Sequence, residues 1–383
     1  MRVLHLLKTS VGASWALRQI RELVQLGVEV HVTLPDGGSL VGRYAGVGAT
    51  EHILQADLPI RKFWNFQSLT KSFRELVGKV NPDIIHSHFV GTTLTMRLAL
   101  CRNFTIPRVF QVPGPLHLEH KYFRKAEILS ASSKDYWCGS CVRTCQYYRD
   151  AGISDDKIFL AYYGTDLGMF RSSEKGRLRR EIGADGRTRI VGMVSYMYAP
   201  KNYLGQKRGL KGHEDLIDAF AICVSHSPDM RCVFVGGAWA GAYEYEKEVR
   251  SYARQRCGEK VVFLGTRNDV PSLYTDFDVA VHPSHTENVG GAVESLLFGV
   301  PTIATRVGGF TDLVKEGETG WLVPPRSPQL LAEKIMEALD NREEALSRAK
   351  KGQILASQMF DVLKTSRDVL RMYEKILNLG RNG

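Results

Sequence analysis

No stretch of this chain approaches the ~20 consecutive apolar residues needed to cross a bilayer as a helix, so a spanning helix is not expected. The opening run, Met1 to Leu7, stops at Lys8; it is too short for the core of a secretory leader and reads as a buried first strand. A cytoplasmic protein is expected. Seven cysteines, at 101, 138, 141, 145, 223, 232 and 257, are an odd and scattered set that suits a reducing compartment better than a disulfide framework. Cys138, Cys141 and Cys145 lack a fourth ligand of obvious spacing and are expected to be small buried groups on an amphipathic helix around Trp137 and Tyr147. There is no internal repeat, helix-turn-helix spacing, zinc finger or RNA-binding aromatic motif, which leaves nucleic acid without support beyond charge. That charge is +10 over 383 residues. Residues 1–163 hold 20 Lys and Arg against 13 Asp and Glu, so the basic surplus sits in the first half and predicts an anionic partner there.

What is present is alternation. Short apolar runs at Arg2–Leu7, Val28–Leu34, Asp83–His86 and Arg108–Val112 are separated by helical patterns at Ser14–Leu26, Leu69–Val80 and Thr92–Leu100. Buried strands joined by amphipathic helices are the signature of a parallel sheet covered on both faces. The polar stretch Arg171–Arg187 interrupts this pattern, which then resumes: strands at Arg189–Val194, Arg231–Val235, Val261–Leu264, Val279–His282, Thr302–Ala304 and Trp321–Val323, with helices at His213–Ser225, Tyr243–Arg254 and Gly291–Phe298. The reading is α/β, with two doubly wound Rossmann-like domains at 1–170 and 171–358, facing each other across a cleft that holds the ligand. The amphipathic tail, 359–383, is expected to rejoin the first domain.

Chemistry concentrates in the segment from Val281 to Asp312. A strand leads into a polar loop, the loop opens a helix, and Gly299-Val-Pro301 returns to a buried strand. Free backbone N–H groups at Val289–Ala292 can face an anion with the helix dipole assisting. Glu287 precedes the helix; Glu294 lies about one turn inside it, where its carboxylate can accept two bonds from a ribose diol. In isolation a glutamate early in a helix is most often a dipole partner, and Lys211-Gly-His213 is only a helix start; their joint occurrence favours a site.

Together with Lys211-Gly-His213, Phe263-Leu-Gly265, Asp278, Ser284 and Gly320-Trp-Leu-Val323, this segment resembles the retaining family-four, glycogen-synthase-like group 1 glycosyltransferases of the GT-B fold. The resemblance extends more loosely through the first half, at Gly12, Asp83-Ile-Ile-His-Ser-His88 and Tyr163-Gly-Thr-Asp166. It implies that Glu294 holds the donor ribose and Glu287 the hydroxyls of the transferred sugar. The amides of Asn288, Val289, Gly290 and Gly291 would contact that sugar and the phosphates, and Lys211 would neutralise the departing diphosphate. Thr266 and Arg267 would lie near the base, and Gly12 would let the first loop approach the phosphate.

The sequence departs from the family in three places. Six residues separate Glu287 from Glu294 where the family usually has seven. The arginine of the usual Gly-Arg pair is missing, and the insert Tyr198–Leu210 offers Arg208 first, or Lys201, as its replacement. The histidine expected after the fifth strand is replaced by Pro113, leaving His117 as the nearest substitute, with an ordinary loop histidine as the equal alternative; of His86 and His88, His88 is expected in the cleft.

The function implied is a metal-independent, retaining transfer of a hexose-type sugar from a nucleotide sugar, UDP favoured over GDP, to a sugar or lipid-linked acceptor in surface polysaccharide or glycoconjugate synthesis. No cofactor and no metal ligand are expected. Ile60-Arg-Lys-Phe-Trp-Asn-Phe66 mixes cations with aromatics, so Arg61 and Lys62 read equally as an acceptor-side contact with an anionic membrane or as a loop covering the core. A nucleotide-sugar epimerase and a catalytically degenerate binding partner remain as alternatives.

Overall fold

The computed structural model describes residues 1–59, 63–102, 104–170, 175–202 and 205–381. Two compact units divide the chain: Met1–Asp166 with Met359–Gly383, and Leu167–Gln358.

The first unit is built on seven parallel strands, β1 (Arg2–Leu6), β2 (Glu29–Leu34), β3 (Thr50–Ile53), β4 (Ile84–Ser87), β5 (Arg108–Val112), β6 (Asp135–Gly139) and β7 (Ile158–Leu160), in the order β3-β2-β1-β4-β5-β6-β7. Because side chains alternate across a strand, β1 feeds two cores. Val3 joins Leu17, Ile20 and Leu23 of the Ser14–Gln25 helix on one face, with Val369 and Ile376 of the C-terminal helix Val362–Arg381. Leu4 and Leu6 meet Phe73 and Val77 of the Phe66–Val80 helix and Met96 of the Val90–Leu100 helix on the other. Burying each such side chain is worth roughly 1.5–3 kcal/mol, which fixes the register of β1 between β2 and β4.

One expectation is corrected here. Trp137 lies on a strand, β6, and only Val142–Asp150 is helical. Asp135, which starts β6, takes hydrogen bonds from Arg97 at 2.8 Å and Arg108 at 2.5 Å, while Arg97 also reaches Glu127 at 2.9 Å. Trp137 donates its Nε1–H to Glu127 at 2.8 Å. These long-range bonds stabilise a strand that its sequence does not advertise. Cys138, Cys141 and Cys145 are buried and free, and among the described residues they form no metal-ligand cluster.

The second unit carries six parallel strands, β8 (Arg189–Val194), β9 (Met230–Val235), β10 (Val261–Phe263), β11 (Val279–His282), β12 (Thr302–Thr305) and β13 (Trp321–Val323), in the order β10-β9-β8-β11-β12-β13. Helices His213–His226, Tyr243–Cys257 and Pro328–Asp340 cover one face through Leu216, Phe220, Val249 and Ile335. Leu178, Leu273, Tyr274 and Phe277 cover the other. Within the polar stretch expected as a boundary, Arg177–Glu181 is helical, and the N–H groups of Gly176 and Leu178 bond Asp276 at 2.6 and 2.8 Å. In each sheet the strand order reverses at one place, between β1 and β4 and between β8 and β11. Such a switch point leaves a crevice beyond the strand ends.

Candidate functional site

The β8/β11 switch point gathers the central residues of the motif segment. Lys211 follows β8 by way of the insert; Glu287 follows β11 directly. The Lys211 ammonium donates to Glu287 Oε2, to which Ser284 Oγ also donates at 3.4 Å, while the Asn288 N–H meets Glu287 Oε1 at 3.0 Å. Lys211 also sits 5.6 Å from the centre of the Tyr198 ring. Two glycines permit this packing around Glu287, Gly212 on the Lys211 loop and Gly308 on the loop after β12. A Cβ on Gly212, at φ 74°, would stand 2.1 Å from the Pro283 carbonyl oxygen, and one on Gly308, at φ 48°, would stand 1.7 Å from that of Glu287.

Val289 caps the Gly290–Leu297 helix without a side-chain hydrogen bond, so the first amides of that helix, including Gly290 and Gly291, carry the positive end of its dipole toward the same crevice. Glu294 accepts a hydrogen bond from Tyr274 Oη at 3.3 Å. Burial, then the neighbouring Glu294 charge, pushes the Tyr274 phenol well up. His282 at the end of β11 is buried against Ser295 at 3.0 Å. Burial, reinforced by the Lys211 charge, pushes its pKa down to about 3. His213, fully buried, is likewise held down at about 4 by burial. Both imidazoles are therefore neutral at pH 7.

Of the other donor-side candidates in this unit, the two arginines are held in ion pairs. Arg208 spans Asp215 at 2.6 Å and Asp218 at 2.8 Å, and Asp215 also meets His285 Nε2 at 2.6 Å. This clasp ties the insert to the His213–His226 helix and to the loop before Glu287. Arg267 is held by Asp269 at 2.7 Å and Glu181 at 2.6 Å. Thr266 lies beside the backbone of Gly237. Lys201 is exposed.

In the first unit, Gly12 adopts φ 74° in the loop before the Ser14–Gln25 helix. His117 is half-buried, with its ring 5.5 Å from Phe110 and its pKa pushed down to about 4 by burial. The expectation for His88 is corrected: it has no exposed surface and is packed inside the unit with His5 and His86. Alternation explains this, since His86 and His88 project from the same face of β4 as Ile84, the face that the C-terminal helix covers. Arg61 and Lys62 lie outside the described residues.

Sequence reasoning missed the Tyr274 contact, the Arg208–Asp215–His285 clasp and the role of His5. A histidine at period two from another on a predicted strand was visible; that β1 pairs with β4, setting His5 opposite His86, was not.

The fold is that of GT-B proteins. The structure of Alr3699/HepE from Anabaena, solved in complex with UDP and glucose, matches with a TM-score of 0.81 at 22% identity, over 97% of this chain and 99% of that one. A family model described as Glycosyl transferases group 1 matches residues 202–354, and one described as Glycosyltransferase Family 4 matches residues 12–168. The chain belongs to these group 1, family-four glycosyltransferases. Among its relatives are the D-inositol 3-phosphate glycosyltransferase of Corynebacterium aurimucosum, 28% identical over 87% of this chain and 83% of the relative, and the lipopolysaccharide core mannosyltransferase LpsB of Rhizobium meliloti, 24% identical over 60% and 64%. The family and fold inferred from the motifs are borne out, as is the assignment to the glycosyltransferase enzymes.

Proposed function

We propose that the β8/β11 crevice binds a nucleotide sugar and that the chain transfers its hexose, with retention, to an acceptor hydroxyl. The observation that carries this reading is the meeting of Lys211 with Glu287 beside the N–H groups that open the Gly290–Leu297 helix, which its N-cap side chain does not bond. An ammonium and a helix N-terminus at one point suit a diphosphate, whose charge grows as it leaves. In the free enzyme Lys211 is neutralised by Glu287. On donor binding the ammonium turns to the diphosphate and the freed carboxylate takes sugar hydroxyls, so one residue pair serves both states. Glu294, oriented by Tyr274, takes the ribose. The bond from the anomeric carbon to the phosphate oxygen breaks as the acceptor oxygen bonds that carbon from the same face, and the acceptor proton passes to the departing phosphate. Lysine and backbone dipoles supply the stabilising charge, so the transfer is proposed to need no metal.

UDP is the favoured nucleotide, supported by the UDP and UDP-glucose complexes of HepE. An acceptor in surface glycoconjugate synthesis is supported by the lipopolysaccharide core mannosyltransferase LpsB, whereas the D-inositol 3-phosphate glycosyltransferase favours a small phosphorylated polyol. Thermal stabilisation by a panel of UDP-, GDP- and ADP-sugars, on wild type and Glu294→Ala, tests the donor claim. A rise selective for UDP-sugars and lost in the variant is expected; no rise with any of them overturns it and favours the degenerate binding partner. Consumption of the donor without any acceptor would instead favour an epimerase.

No helix among the described residues is long and apolar enough to cross a membrane. A cytoplasmic enzyme docking peripherally on an anionic membrane fits the first unit, where Trp64 is 65% exposed and the Lys121–Leu129 helix exposes Tyr122, Phe123 and Leu129 among Lys121 and Lys125. Co-sedimentation with anionic but not zwitterionic vesicles, reduced in Lys121→Glu/Lys125→Glu, is the expected result; equal sedimentation with both kinds overturns it.

A further inference from the structure

The other switch point, between β1 and β4, holds a group of side chains that the transfer reaction does not use. His5 on β1 pairs in register with His86 on β4, and His88 stands two residues further along. All three are fully buried, and one ring nitrogen of each lies within 4.8 Å of the others. The remaining nitrogens are satisfied by phenols. His88 Nδ1 bonds Tyr163 Oη at 2.9 Å, His86 Nδ1 bonds Tyr373 Oη at 2.5 Å, and His5 Nε2 lies 3.3 Å from that same Tyr373 oxygen. What is left is His5 Nδ1 and His88 Nε2, 2.8 Å apart, and His86 Nε2, which is buried without any hydrogen-bond partner.

We infer that His5, His86 and His88 form a transition-metal site in the first unit, with Zn²⁺ the ion that it fits. Three arguments converge. A buried nitrogen without a partner costs on the order of 1–3 kcal/mol, and a ligand that accepts its lone pair removes that cost. Metal-binding imidazoles characteristically have their second nitrogen fixed by a hydrogen bond, and here each of the three does, through Tyr163 or Tyr373. Around a tetrahedral ion with Zn–N of ~2.0–2.1 Å, neighbouring ligand nitrogens stand roughly 3.4 Å apart, which falls between the 2.8 Å of the closest pair and the 4.8 Å bound on the set. A donor set of neutral imidazoles selects zinc, copper or nickel over magnesium and calcium. The bound ion cross-links β1 to β4 and, through Tyr373, braces the Val362–Arg381 helix against the sheet. It shares no residue with the Lys211–Glu287–Glu294 group, which lies in the second unit.

The test uses the full chain without a histidine tag, stripped with a chelator and re-dialysed against Zn²⁺ or, as control, Mg²⁺. Elemental analysis should find one Zn²⁺ per chain and no retained Mg²⁺. Replacement by Co²⁺ should give a visible band of tetrahedral intensity without thiolate charge transfer. Tyr373→Phe, which keeps the ring, should weaken zinc binding about 10–100-fold, and His86→Gln should abolish it. Absence of stoichiometric zinc in wild type overturns the assignment. So does a thiolate band, which would place the ion on the cysteines, or zinc retained undiminished in folded His86→Gln. The cobalt spectrum is read on wild type, so the inference stands or falls even where a variant does not fold.

Discussion

Gly212 and Gly308 decide where the Glu287 loop can sit: Gly212, beside Lys211, packs in a left-handed conformation against the Pro283 carbonyl oxygen, and Gly308, after β12, packs likewise against that of Glu287. Alanine at Gly308 must displace Glu287, so Gly308→Ala should cost roughly 1–3 kcal/mol and also lower donor affinity. Gly317→Ala, at φ 74° with open space around it, carries backbone strain alone and should leave donor affinity unchanged. Urea unfolding and a nucleotide-sugar titration on both variants check this; equal loss of affinity in the two would show that the contact with Glu287 is immaterial. His282 offers a second residue-scale test. Its folded pKa of about 3 lies below the ordinary value of 6.5, so between those limits the unfolded chain binds the extra proton. The stability it contributes is complete above pH 6.5 and is lost as pH falls, by up to about 1.4 kcal/mol per unit. His282→Gln should therefore show a shallower decline in urea stability from pH 7 to pH 5 than wild type, and parallel curves would show that the imidazole is not held neutral.

At the scale of elements, β6 depends on partners brought from afar. Asp135 and Glu127 share Arg97, and all three side chains are buried. Removing the cation leaves two buried carboxylates short of a partner, so Arg97→Met should destabilise the first unit by about 3–5 kcal/mol, whereas the exposed pair Arg149–Asp155 should yield less than about 1 kcal/mol on Arg149→Ala. Chemical denaturation of both variants measures the contrast. The same dependence explains what was legible in the sequence. Strands β1, β2, β8 and β9 have apolar runs that announce burial on both faces, and the Ser14–Gln25 helix carries its stripe openly. Strands β3 and β7 end their sheet and are short, and β3 reads Thr50-Glu-His-Ile53 with no apolar run at all. Strand β6 begins with an aspartate whose compensation comes from Arg97 and Arg108. The donor motif was readable because its residues are close in sequence, from Glu287 to Glu294, and are positioned by one helix. Arg208 was chosen for its charge, and its two aspartates, on the next helix, were not foreseen as its partners. The histidine group depends on which strands pair, a property of topology that no local pattern states.

Across the whole molecule, two units with separate cores respond to different ligands. A ligand that binds only the native state stabilises it by RT ln(1 + [L]/Kd), about 2.7 kcal/mol at a hundredfold excess over Kd, and the stabilisation acts on the unit whose opening destroys the site. Lys211, Glu287, Tyr274 and Glu294 of the proposed nucleotide site lie in Leu167–Gln358; the residues of the histidine site lie in Met1–Asp166 and Met359–Gly383. Native-state hydrogen exchange should therefore separate them. UDP-sugar should slow exchange in β8, β11 and the Gly290–Leu297 helix, with little change in β1 and β4. Zn²⁺ should slow exchange in β1, β4 and the Val362–Arg381 helix, with little change around β11. Because the named residues of each site lie in one unit, each pattern should persist when the other ligand is also present, and Glu294→Ala should erase only the first while His86→Gln erases only the second. Protection by UDP-sugar centred on β1 and β4 would contradict the assignment of the donor to the second unit. Zinc protection spread evenly over both sheets would mean that the ion acts on the chain as a whole, and the histidine site would lose its support.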